Sequence, residues 1–310
     1  MEKISVIIPS YKRSVAIEKA VKSVLKQTYT NFEVIVIDDN GIGSNENLLT
    51  KKTMQSLLKL DSRIKYIELE NNSGGSIARN AGIEKSDGKY ITFLDDDDEY
   101  YTAKLENQLK FYKKSFPKNN GFINCQMEVY SNDKFIRTIK TKVDEDNLLF
   151  SAVSEKILGT PSLFIPRDLI YSVNLFTDRI KGQEWDLVVK LIDKGCDFKH
   201  MEEGLVRINI SENSITTEQN IDRKIRGIEN IYSKQCNYFS FFSEKEVKQI
   251  NHSYYLKLSE AYLSESFKKS FQYYFKAIKH IFFSINNLRY PLKLLIEKAQ
   301  LQSLVKLIRG

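Results

Sequence analysis

The chain has 310 residues, which is enough for one domain of about 200 residues and a smaller appendage. Hydrophobic residues make up 42% of it and charged residues 28%, and the five prolines and thirteen glycines exclude long disordered linkers. The formal net charge of +7 fits nucleic acid, an anionic membrane surface or phosphate-bearing ligands, and does not choose among them.

The sequence shows no export or membrane-spanning pattern. The apolar run of residues 4–8 is too short for a signal peptide, and no apolar stretch approaches the ~20 residues of a membrane-spanning helix. The three cysteines are widely spaced and predict neither a disulfide framework nor a zinc cage; they are Cys125, Cys196 and Cys236. We therefore expect a cytoplasmic protein with reduced thiols.

The first part of the chain alternates strand and helix patterns. Short β-branched apolar runs predict four strands, at 4–8, 32–37, 64–69 and 90–94. Apolar residues at helical spacing predict helices over 15–27, about 45–60 and 77–85, the last with Ser76 as its N-cap. Apolar strands alternating with helices are typical of a mainly parallel, Rossmann-like sheet, so the predicted fold class is α/β.

Polar residues follow three of these predicted strands. They are Pro9-Ser10-Tyr11, Asp38-Asp39 and the acidic run Asp95 to Asp98. Ligands of parallel sheets bind beyond the C-terminal ends of the strands, so all three segments are expected to open on one edge. This convergence predicts a ligand site at that edge.

The remainder of the chain divides into two regions. Further strands are predicted at 121–129, 135–140 and 162–165, followed by a helix over 183–194 and a polar loop at 209–220. Beyond the loop the pattern is helical and rich in Lys, Phe and Tyr. We therefore predict one domain over residues 1–220 and a helical C-terminal subdomain over 221–310.

Two interpretations of the acidic run are open. Four consecutive aspartates repel one another unless something cationic neutralises them. Asp95 and Asp97, spaced as Asp-x-Asp, suit a hard divalent cation, Mg²⁺ or Mn²⁺, that shares the diphosphate of a nucleotide. The alternative is a solvated acidic turn, which the position directly after a buried strand disfavours.

Two further polar features at this edge are candidates for nucleotide binding. Asp38-Asp39 either caps a helix or accepts hydrogen bonds from a base N–H and from ribose. Arg79 follows the glycine pair by one helical turn. It either holds base or phosphate through its planar guanidinium, or lies on the surface as most arginines do.

Four segments together resemble family 2 glycosyltransferases with the GT-A fold. They are residues 4–11 (ISVIIPSY), 34–39 (VIVIDD), 75–82 (GSIARNAG) and 91–97 (ITFLDDD). Each segment alone is weak, whereas four in the correct order and spacing are specific, and the resemblance covers roughly residues 3–215. The glycine-rich segment is not a P-loop, because no Gly-Lys-Ser/Thr closes it.

The resemblance implies roles on the nucleotide side of the site. Pro9 and Tyr11 line the nucleotide pocket, with Tyr11 near the base. Asp39 contacts a uracil-type base, while Asp38 supports the loop. Arg79 touches the base or the phosphates.

The same resemblance assigns the acidic run. Asp95 and Asp97 form the Asp-x-Asp element, and Asp97 is the more direct ligand of Mn²⁺ or Mg²⁺. Asp96 and Asp98 contact ribose or support the metal ligands. These assignments make the enzyme metal-dependent.

The resemblance also implies an inverting single displacement, which needs a base for the acceptor hydroxyl. In the family this base lies in a Glu-Asp pair at the start of a helix; here Gln183 and Glu184 stand at those positions. Glu184 is the expected base and Asp186 the reserve, although both acids also favour a helix N-terminus by charge alone. On the acceptor side, Ser162 belongs to a segment that shapes the pocket, and Trp185 either stacks on an acceptor sugar or lies in the core.

Lysines recur between Phe, Tyr, Leu and Ile from Ser266 to Arg309. Helical spacing then gives apolar stripes flanked by basic residues. In one interpretation, these stripes pack on each other or on a sister subunit. In the other, a helix near 289–309 lies on an anionic membrane. The two interpretations are compatible. We therefore expect a homo-oligomer, or peripheral contact with the inner face of the cell membrane.

The predicted function is transfer of a hexose or N-acetylhexosamine from a UDP-linked donor to a glycan, lipid-linked or protein-linked acceptor in bacterial surface glycan synthesis. A sugar nucleotidyltransferase is one alternative. It needs a glycine-rich phosphate loop with a basic residue directly after the first strand, where this chain has Pro9-Ser10-Tyr11-Lys12-Arg13. A non-enzymatic module for membranes or nucleic acid is another, and the acidic crevice argues against nucleic acid.

Overall fold

The structure is a computed structural model that describes residues 2–141, 143–157, 159–177, 182–210, 221–263 and 265–281. The chain divides into two compact units, Met1–Thr217 and Glu218–Gly310. In the described residues, the first unit is built around a sheet and the second contains helices only. The predicted helix near 289–309 lies outside the described residues.

A nine-stranded sheet organises the described part of the first unit. Its strands are β1 (Ile4–Ser10), β2 (Phe32–Asp38), β3 (Ile64–Glu68), β4 (Tyr90–Phe93), β5 (Glu99–Tyr100), β6 (Gly121–Ser131), β7 (Lys134–Ile139), β8 (Phe164–Pro166) and β9 (Asp197–Ile210). Their spatial order is β3-β2-β1-β4-β8-β6-β9-β5, and β7 pairs with β6.

Helices of the first unit connect these strands. They are α1 (Ala16–Leu25), α2 (Asn45–Leu60), α3 (Gly75–Glu84), α4 (Lys104–Ser115), α5 (Leu148–Val153), α6 (Arg167–Ser172) and α7 (Gln183–Asp193). Two short 3₁₀ turns occupy Glu145–Asn147 and Thr160–Ser162.

The sheet combines both strand directions. β3, β2, β1 and β4 run parallel to one another. β8 runs antiparallel to β4 and β6, β6 and β9 are parallel, and β5 is antiparallel to β9. The predicted α/β architecture, with parallel N-terminal strands between helices, is confirmed.

Helices cover both faces of the parallel strands, which explains their continuous apolar sequences. Ile8 of β1 belongs to the large core that also contains Val21 of α1. On the other face, Ile37 of β2 packs with Ala78 of α3. Because successive strand side chains point to opposite faces, a strand buried on both faces is apolar at most of its positions.

Helix α3 approaches β1 closely at Gly82. A Cβ atom added to Gly82 would lie 2.4 Å from Cγ2 of Ile7 and 3.2 Å from its Cγ1. Ile7 is fully buried and cannot move aside without disturbing the sheet. Glycine at position 82 therefore sets the distance between α3 and the strand whose end forms part of the site.

We expect Gly82→Ala to lower the free energy of unfolding of the first unit by about 1–3 kcal/mol, because the added methyl overpacks the core. Trp185 is the one tryptophan of the sequence, and it is buried in this unit. Its fluorescence during urea unfolding therefore reports on the first unit. Glu84→Ala, on an exposed position of the same helix, is the control and should change stability by only a few tenths of a kcal/mol. Equal stability of Gly82→Ala and the wild type would contradict the close approach.

Three local predictions differ from the structure. Gly74, not Ser76, is the N-cap of α3, and Ser76 lies buried inside the first turn. The predicted strand at 162–165 starts later, because Pro161 lies in a 3₁₀ turn that ends at Ser162. Strand β9 was not predicted, since its charged residues hide the alternation of a half-buried strand.

The described part of the second unit contains three helices, α8 (Ile221–Cys236), α9 (Glu244–Tyr262) and α10 (Phe267–His280), and a 3₁₀ turn at Phe239–Phe241. α9 begins at a capping box in which the Ser243 and Glu246 side chains bond each other's backbone N–H. Ile225, Leu258 and Ala261 form a small apolar core. No helix in the described ranges is both long and apolar enough to cross a bilayer.

Candidate active site

Three parallel strands end at one edge of the sheet. β2, β1 and β4 are neighbours, and Ser10 at the end of β1 is paired with Asp38 at the end of β2. The backbone N–H of Leu94, just after β4, donates to the carbonyl of Ile7 at 3.0 Å. The three polar segments predicted to meet are therefore brought to the same edge.

Asp38 is a fully buried acceptor that joins three elements. Its Oδ1 accepts from the backbone N–H of Asn40 at 3.0 Å and from the side-chain amide of Asn40 at 2.7 Å. Its Oδ2 accepts from the amide of Asn47 in α2 at 3.0 Å and from the hydroxyl of Tyr66 in β3 at 2.5 Å. Since all these donors belong to the protein, Asp38 holds the loop after β2 in place.

Asp39 fixes the glycine-containing loop in front of α3. Its two carboxylate oxygens accept from the backbone N–H groups of Ser73, at 2.7 Å, and of Gly74, at 2.8 Å. Gly74 has a φ of 88°, which favours glycine. The carboxylate is buried, and this burial raises its pKa above the ordinary value. Each oxygen keeps a second lone pair that can accept from a base or ribose.

Arg13 neutralises two carboxylates of the acidic run. Its Nη1 lies 2.9 Å from Oδ1 of Asp96 and 2.8 Å from Oδ1 of Asp97. The other oxygen of Asp96 accepts from the backbone N–H of Tyr11 at 3.0 Å. Through these two contacts, the buried side chain of Asp96 connects the loop after β1 to the acidic run. The ring of Tyr11 remains exposed at this edge, with half-buried Pro9 just before it in β1.

Asp98 connects the acidic run to the far side of the sheet. Its Oδ1 accepts from the backbone N–H of Asn209 in β9 at 2.9 Å. The side-chain amide of Asn209 donates to the carbonyl oxygen of Asp97 at 2.9 Å. Asn209, more than a hundred residues later in the chain, thus holds Asp97 and Asp98 of the acidic run in position.

The site carries more negative than positive charge. Of the four aspartates, Asp96 and Asp97 pair with Arg13 and Asp95 pairs with Arg79. Burial raises the pKa of Asp97 against the effect of Arg13, and together with the negative charges of Asp96 and Asp95 it brings this pKa to about 6. Burial also raises the pKa values of Asp96 and Asp98. An additional cation would relieve this repulsion.

The donor set fits a divalent cation that is bound together with phosphates. Among the described residues, no group of three His, Cys, Asp or Glu side chains forms a complete metal site. Mg²⁺ is commonly held by one or two carboxylates plus substrate phosphates, so a complete protein cage is not required. Asp95 and Asp97, with side chains 36% and 20% exposed, are the members of the run that reach solvent.

We expect Asp97→Asn to raise the free energy of unfolding at pH 7.5 without divalent cations. A carboxyl whose pKa rises on folding binds more protons when folded, so stability falls as pH increases from about 4 to about 6. The cost above pH 6 is on the order of 3 kcal/mol, which Asn removes. Urea unfolding followed by Trp185 fluorescence should show the gain at pH 7.5 and none below about pH 4.

A matched control for this measurement is Asp87→Asn. Asp87 is mostly exposed, and its ion pair with Lys65 lowers its pKa, so its removal should not stabilise the protein. If Asp97→Asn is no more stable than the wild type at pH 7.5, the repulsion within the acidic run is too weak to support a cation site.

Arg79 links the acidic run to helix α7. Its Nη2 donates to Oδ1 of Asp95 at 2.6 Å, and its Nη1 donates to Oε1 of Gln183 at 2.8 Å. A Cβ atom at position 75 would lie 2.9 Å from this Nη1, so Gly75 leaves space for the guanidinium. Among the described residues, Nε of Arg79 and Oγ of Ser10 are buried without a hydrogen-bond partner.

Glu184 lies in the first turn of α7, beside this bridge. α7 begins after Gly182, whose φ of 82° gives the left-handed conformation that glycine adopts readily. Glu184 is half-buried. Burial raises its pKa above the ordinary value; the positive charge of Arg79 opposes this shift, and the negative charges of Asp95 and Glu155 add to it. A carboxylate with a raised pKa is suited to accept a proton near neutral pH.

Asp186, the reserve candidate for the base, has protein partners. Its Oδ2 accepts from the hydroxyl of Thr177 at 2.6 Å and lies 3.3 Å from Nζ of Lys190. Its side chain is buried. The structure therefore places it in the packing of α7, whereas Glu184 is the acid beside Arg79.

The two residues predicted for the acceptor side lie in the core. Trp185 is buried, and its indole N–H donates to the carbonyl of Val153 at 3.2 Å. Ser162 is also fully buried, and its hydroxyl donates to the carbonyl of Gly159 at 2.7 Å. Neither side chain reaches the surface, so the structure favours the core alternative for Trp185, and the acceptor-side role of the Ser162 segment stays a prediction.

Sequence reasoning missed three residues of the site, Arg13, Gln183 and Asn209. Arg13 was considered only as part of a segment unlike a phosphate loop, and Gln183 only as a departure from the family pattern. The four adjacent carboxylates were a signal that a nearby cation must exist. Asn209 offered no signal, because its contact depends on the unpredicted strand β9.

Comparison with known proteins gives a consistent result. The family model described as glycosyl transferase family 2 matches residues 5–145. TuaG of Bacillus subtilis, whose name assigns it to teichuronic acid biosynthesis, is 31% identical over 221 residues, which are 70% of this chain and 82% of TuaG. A Campylobacter jejuni protein named GalNAc(5)-diNAcBac-PP-undecaprenol β-1,3-glucosyltransferase is 28% identical over 284 residues, covering 90% of this chain and 89% of that protein.

Some relatives are much longer than this chain. An uncharacterized glycosyltransferase of Rickettsia conorii is 33% identical over 247 residues, which are 78% of this chain but 38% of that protein. Among solved structures, TarS of S. aureus in complex with UDP-GlcNAc has a TM-score of 0.65 at 16% identity, over 90% of this chain and 81% of TarS. The likeness to TarS concerns the fold.

Proposed function

The chain belongs to glycosyl transferase family 2, and from this premise we propose that it moves a hexose or N-acetylhexosamine from a UDP-linked donor to an acceptor, with inversion at the anomeric carbon. One observation carries the proposal. The hydrogen bonds from Arg79 to Asp95 and to Gln183 place the acidic run beside the helix turn that carries Glu184. A donor diphosphate and the base for an acceptor therefore fit in one site.

The nucleotide is the first part of the proposal. Exposed Tyr11 offers a ring face to a base, while Asp39 offers carboxylate lone pairs to a base or ribose. The guanidinium of Arg79, whose side chain is 10% exposed, can donate to a phosphate oxygen. The UDP-GlcNAc complex of TarS supports the choice of a UDP-linked donor for a chain of this fold.

Mn²⁺ or Mg²⁺ is the proposed cofactor. Asp97 and Asp95 would hold the ion, because they are the two carboxylates of the run that reach solvent. When bound, such an ion supplies positive charge that stabilises the diphosphate as it leaves. Arg13 and Asn209 keep the carboxylates in position through the contacts already described.

Glu184 performs the proton transfer in this proposal. Its carboxylate accepts the proton of the acceptor hydroxyl, whose oxygen forms a bond to the anomeric carbon. At the same time the bond from that carbon to the diphosphate breaks, and the nucleoside diphosphate leaves with the electron pair. Attack opposite to the leaving group inverts the configuration.

The proposed acceptor belongs to bacterial surface glycan synthesis. The Campylobacter jejuni relative is named for a diphosphoundecaprenol-linked glycan, and TuaG is named for teichuronic acid. A lipid-linked glycan is therefore the proposed acceptor class, ahead of a free glycan or a glycoprotein.

Nucleotide release from a set of donors tests the proposal. The full chain with Mn²⁺ is incubated with UDP-glucose, UDP-GlcNAc, UDP-GalNAc and GDP-mannose, with and without diphosphate-linked glycan acceptors. Acceptor-stimulated release of UDP and a product of inverted anomeric configuration are expected. Formation of a nucleotide sugar from a sugar 1-phosphate and UTP, with release of pyrophosphate, would instead identify a nucleotidyltransferase.

A further inference from the structure

Three phenylalanines form an exposed stripe along helix α10. The side chains of Phe267, Phe271 and Phe275 are 56%, 40% and 50% exposed. They are four residues apart, which places them on one side of a helix. Their ring centroids lie 5.8 and 4.7 Å apart in sequence order, so the rings form a continuous apolar surface. We call this surface the phenylalanine stripe.

An adjacent face of α10 packs against α9 within the second unit. Ser270, Tyr274 and Ala277 are buried on that side. Ser270 also exchanges hydrogen bonds with Ser259 of α9. These buried residues hold the helix against α9, while a large part of each phenylalanine ring stays exposed.

The charged residues of α10 itself all have one sign. Lys268, Lys269, Lys276 and Lys279 are exposed, and α10 has no Asp or Glu. Lys269 and Lys276 lie over tyrosine rings, whereas no carboxylate in the described parts of the chain pairs with any of the four. Within α10 itself, the charge beside the apolar surface is therefore positive.

We propose that the phenylalanine stripe lies on the surface of an anionic lipid bilayer. The rings would enter the boundary between head groups and acyl chains, and the lysines would face lipid phosphates. A second copy of the chain fits less well, because two facing stripes would bring eight lysines together without anions. Charge complementarity therefore favours the membrane surface over self-association.

Binding of this kind is separate from sugar transfer. It would bring the enzyme to the surface where a lipid-linked acceptor is held, and that consequence rests on the proposed function. The adsorption itself involves α10 only and can be measured without any nucleotide sugar. Failure of either proposal can therefore be recognised independently.

Co-sedimentation of the full chain with vesicles tests the proposal. Vesicles of phosphatidylcholine with phosphatidylglycerol should bind the wild type, and pure phosphatidylcholine vesicles should bind it at least about tenfold more weakly. Raising NaCl from 0.05 to 0.5 M should release most of the protein, because salt screens the lysines.

Two sets of variants identify the responsible surface. Phe267→Ser, Phe271→Ser and Phe275→Ser together should lower the partition coefficient at least about tenfold, and Lys268→Gln with Lys279→Gln should lower it by about the same factor. The control replaces three similarly exposed leucines of α2 by Ser: Leu48, Leu49 and Leu60. It should bind vesicles as the wild type does.

Three results would overturn the proposal. The first is unchanged vesicle binding of the phenylalanine variant, which would place any binding surface elsewhere in the chain. The second is an equal loss of binding in the leucine control. The third is a wild type that ignores anionic vesicles and forms a dimer in sedimentation velocity that the phenylalanine variant abolishes, which would identify a second copy as the occupant.

Discussion

Replacing Glu184 by Gln is expected to lower kcat of sugar transfer by about 10²- to 10⁴-fold while leaving the KM for the donor nearly unchanged. Gln keeps the size of the side chain and loses the ability to accept a proton. Donor contacts lie around Arg79 and the acidic run, so they do not need the Glu184 charge. Steady-state kinetics with saturating acceptor gives both parameters.

The pH dependence of transfer provides a second measure of Glu184. The base must be ionised to act, and burial raises its pKa above the ordinary value. The value of kcat should therefore rise with pH through that raised pKa and become constant above it. The residual kcat of the Glu184→Gln variant should not show this rise with pH.

Asp186→Asn distinguishes the two candidate bases. Asp186 accepts from Thr177 and lies beside Lys190, so its replacement should lower stability, measured by Trp185 fluorescence, more than it lowers kcat. A larger loss of kcat in Asp186→Asn than in Glu184→Gln would assign the proton transfer to Asp186.

Replacing Asp97 by Asn is expected to lower kcat/KM by on the order of 100-fold, because one carboxylate ligand of the cation and its charge are lost. Higher Mn²⁺ concentration should recover part of the activity, since a weakened cation site can still be filled by mass action. Asp87→Asn is the control and should behave as the wild type. An Asp97→Asn enzyme with full activity would remove this carboxylate from the metal site.

The Asp97→Asn variant should lose activity and gain stability at the same pH. Burial and the negative charges of Asp96 and Asp95 raise the pKa of Asp97 to about 6, which means that its ionised form is unfavourable in the folded protein. Binding of the cation and the nucleotide would stabilise the folded protein by offsetting the unfavourable charge of the ionised Asp97 carboxylate. Opposite changes in stability and activity are therefore the expected signature of a binding residue.

The parallel half of the fold could be predicted because its signals are local. The strands at the edge of the site are continuous apolar runs, and each ends at a polar segment visible in the sequence. Parallel strands bring such ends together by geometry alone. The meeting of Tyr11, Asp39 and Asp97 at one edge therefore required no knowledge of side-chain packing.

Other parts of the site depend on contacts that the sequence does not reveal. Arg13 contacts Asp96 and Asp97 across more than eighty residues, and Asn209 contacts Asp98 across more than a hundred. Periodicity does not indicate such pairs. Trp185 illustrates a different limit of the sequence. An aromatic residue beside a candidate base is compatible both with stacking on a sugar and with a position in the core, and only the structure shows that Trp185 is buried.

The two ends of the proposed site differ in how completely they are built. The nucleotide end has a neutralising arginine, buried supporting aspartates and the guanidinium of Arg79. The acceptor end is defined by Glu184 alone, since Trp185 and Ser162 lie in the core. Acceptor recognition therefore has to involve side chains other than the two that the sequence indicated.

Calorimetric titration of UDP into the full chain tests the central claim most directly. We expect binding in the presence of Mn²⁺, binding at least about tenfold weaker with Mn²⁺ removed by a chelator, and the same weakening in Asp97→Asn with Mn²⁺ present. Asp87→Asn should bind UDP as the wild type does. UDP affinity that is unaffected by Mn²⁺ and by Asp97→Asn would contradict a nucleotide site built on the acidic run.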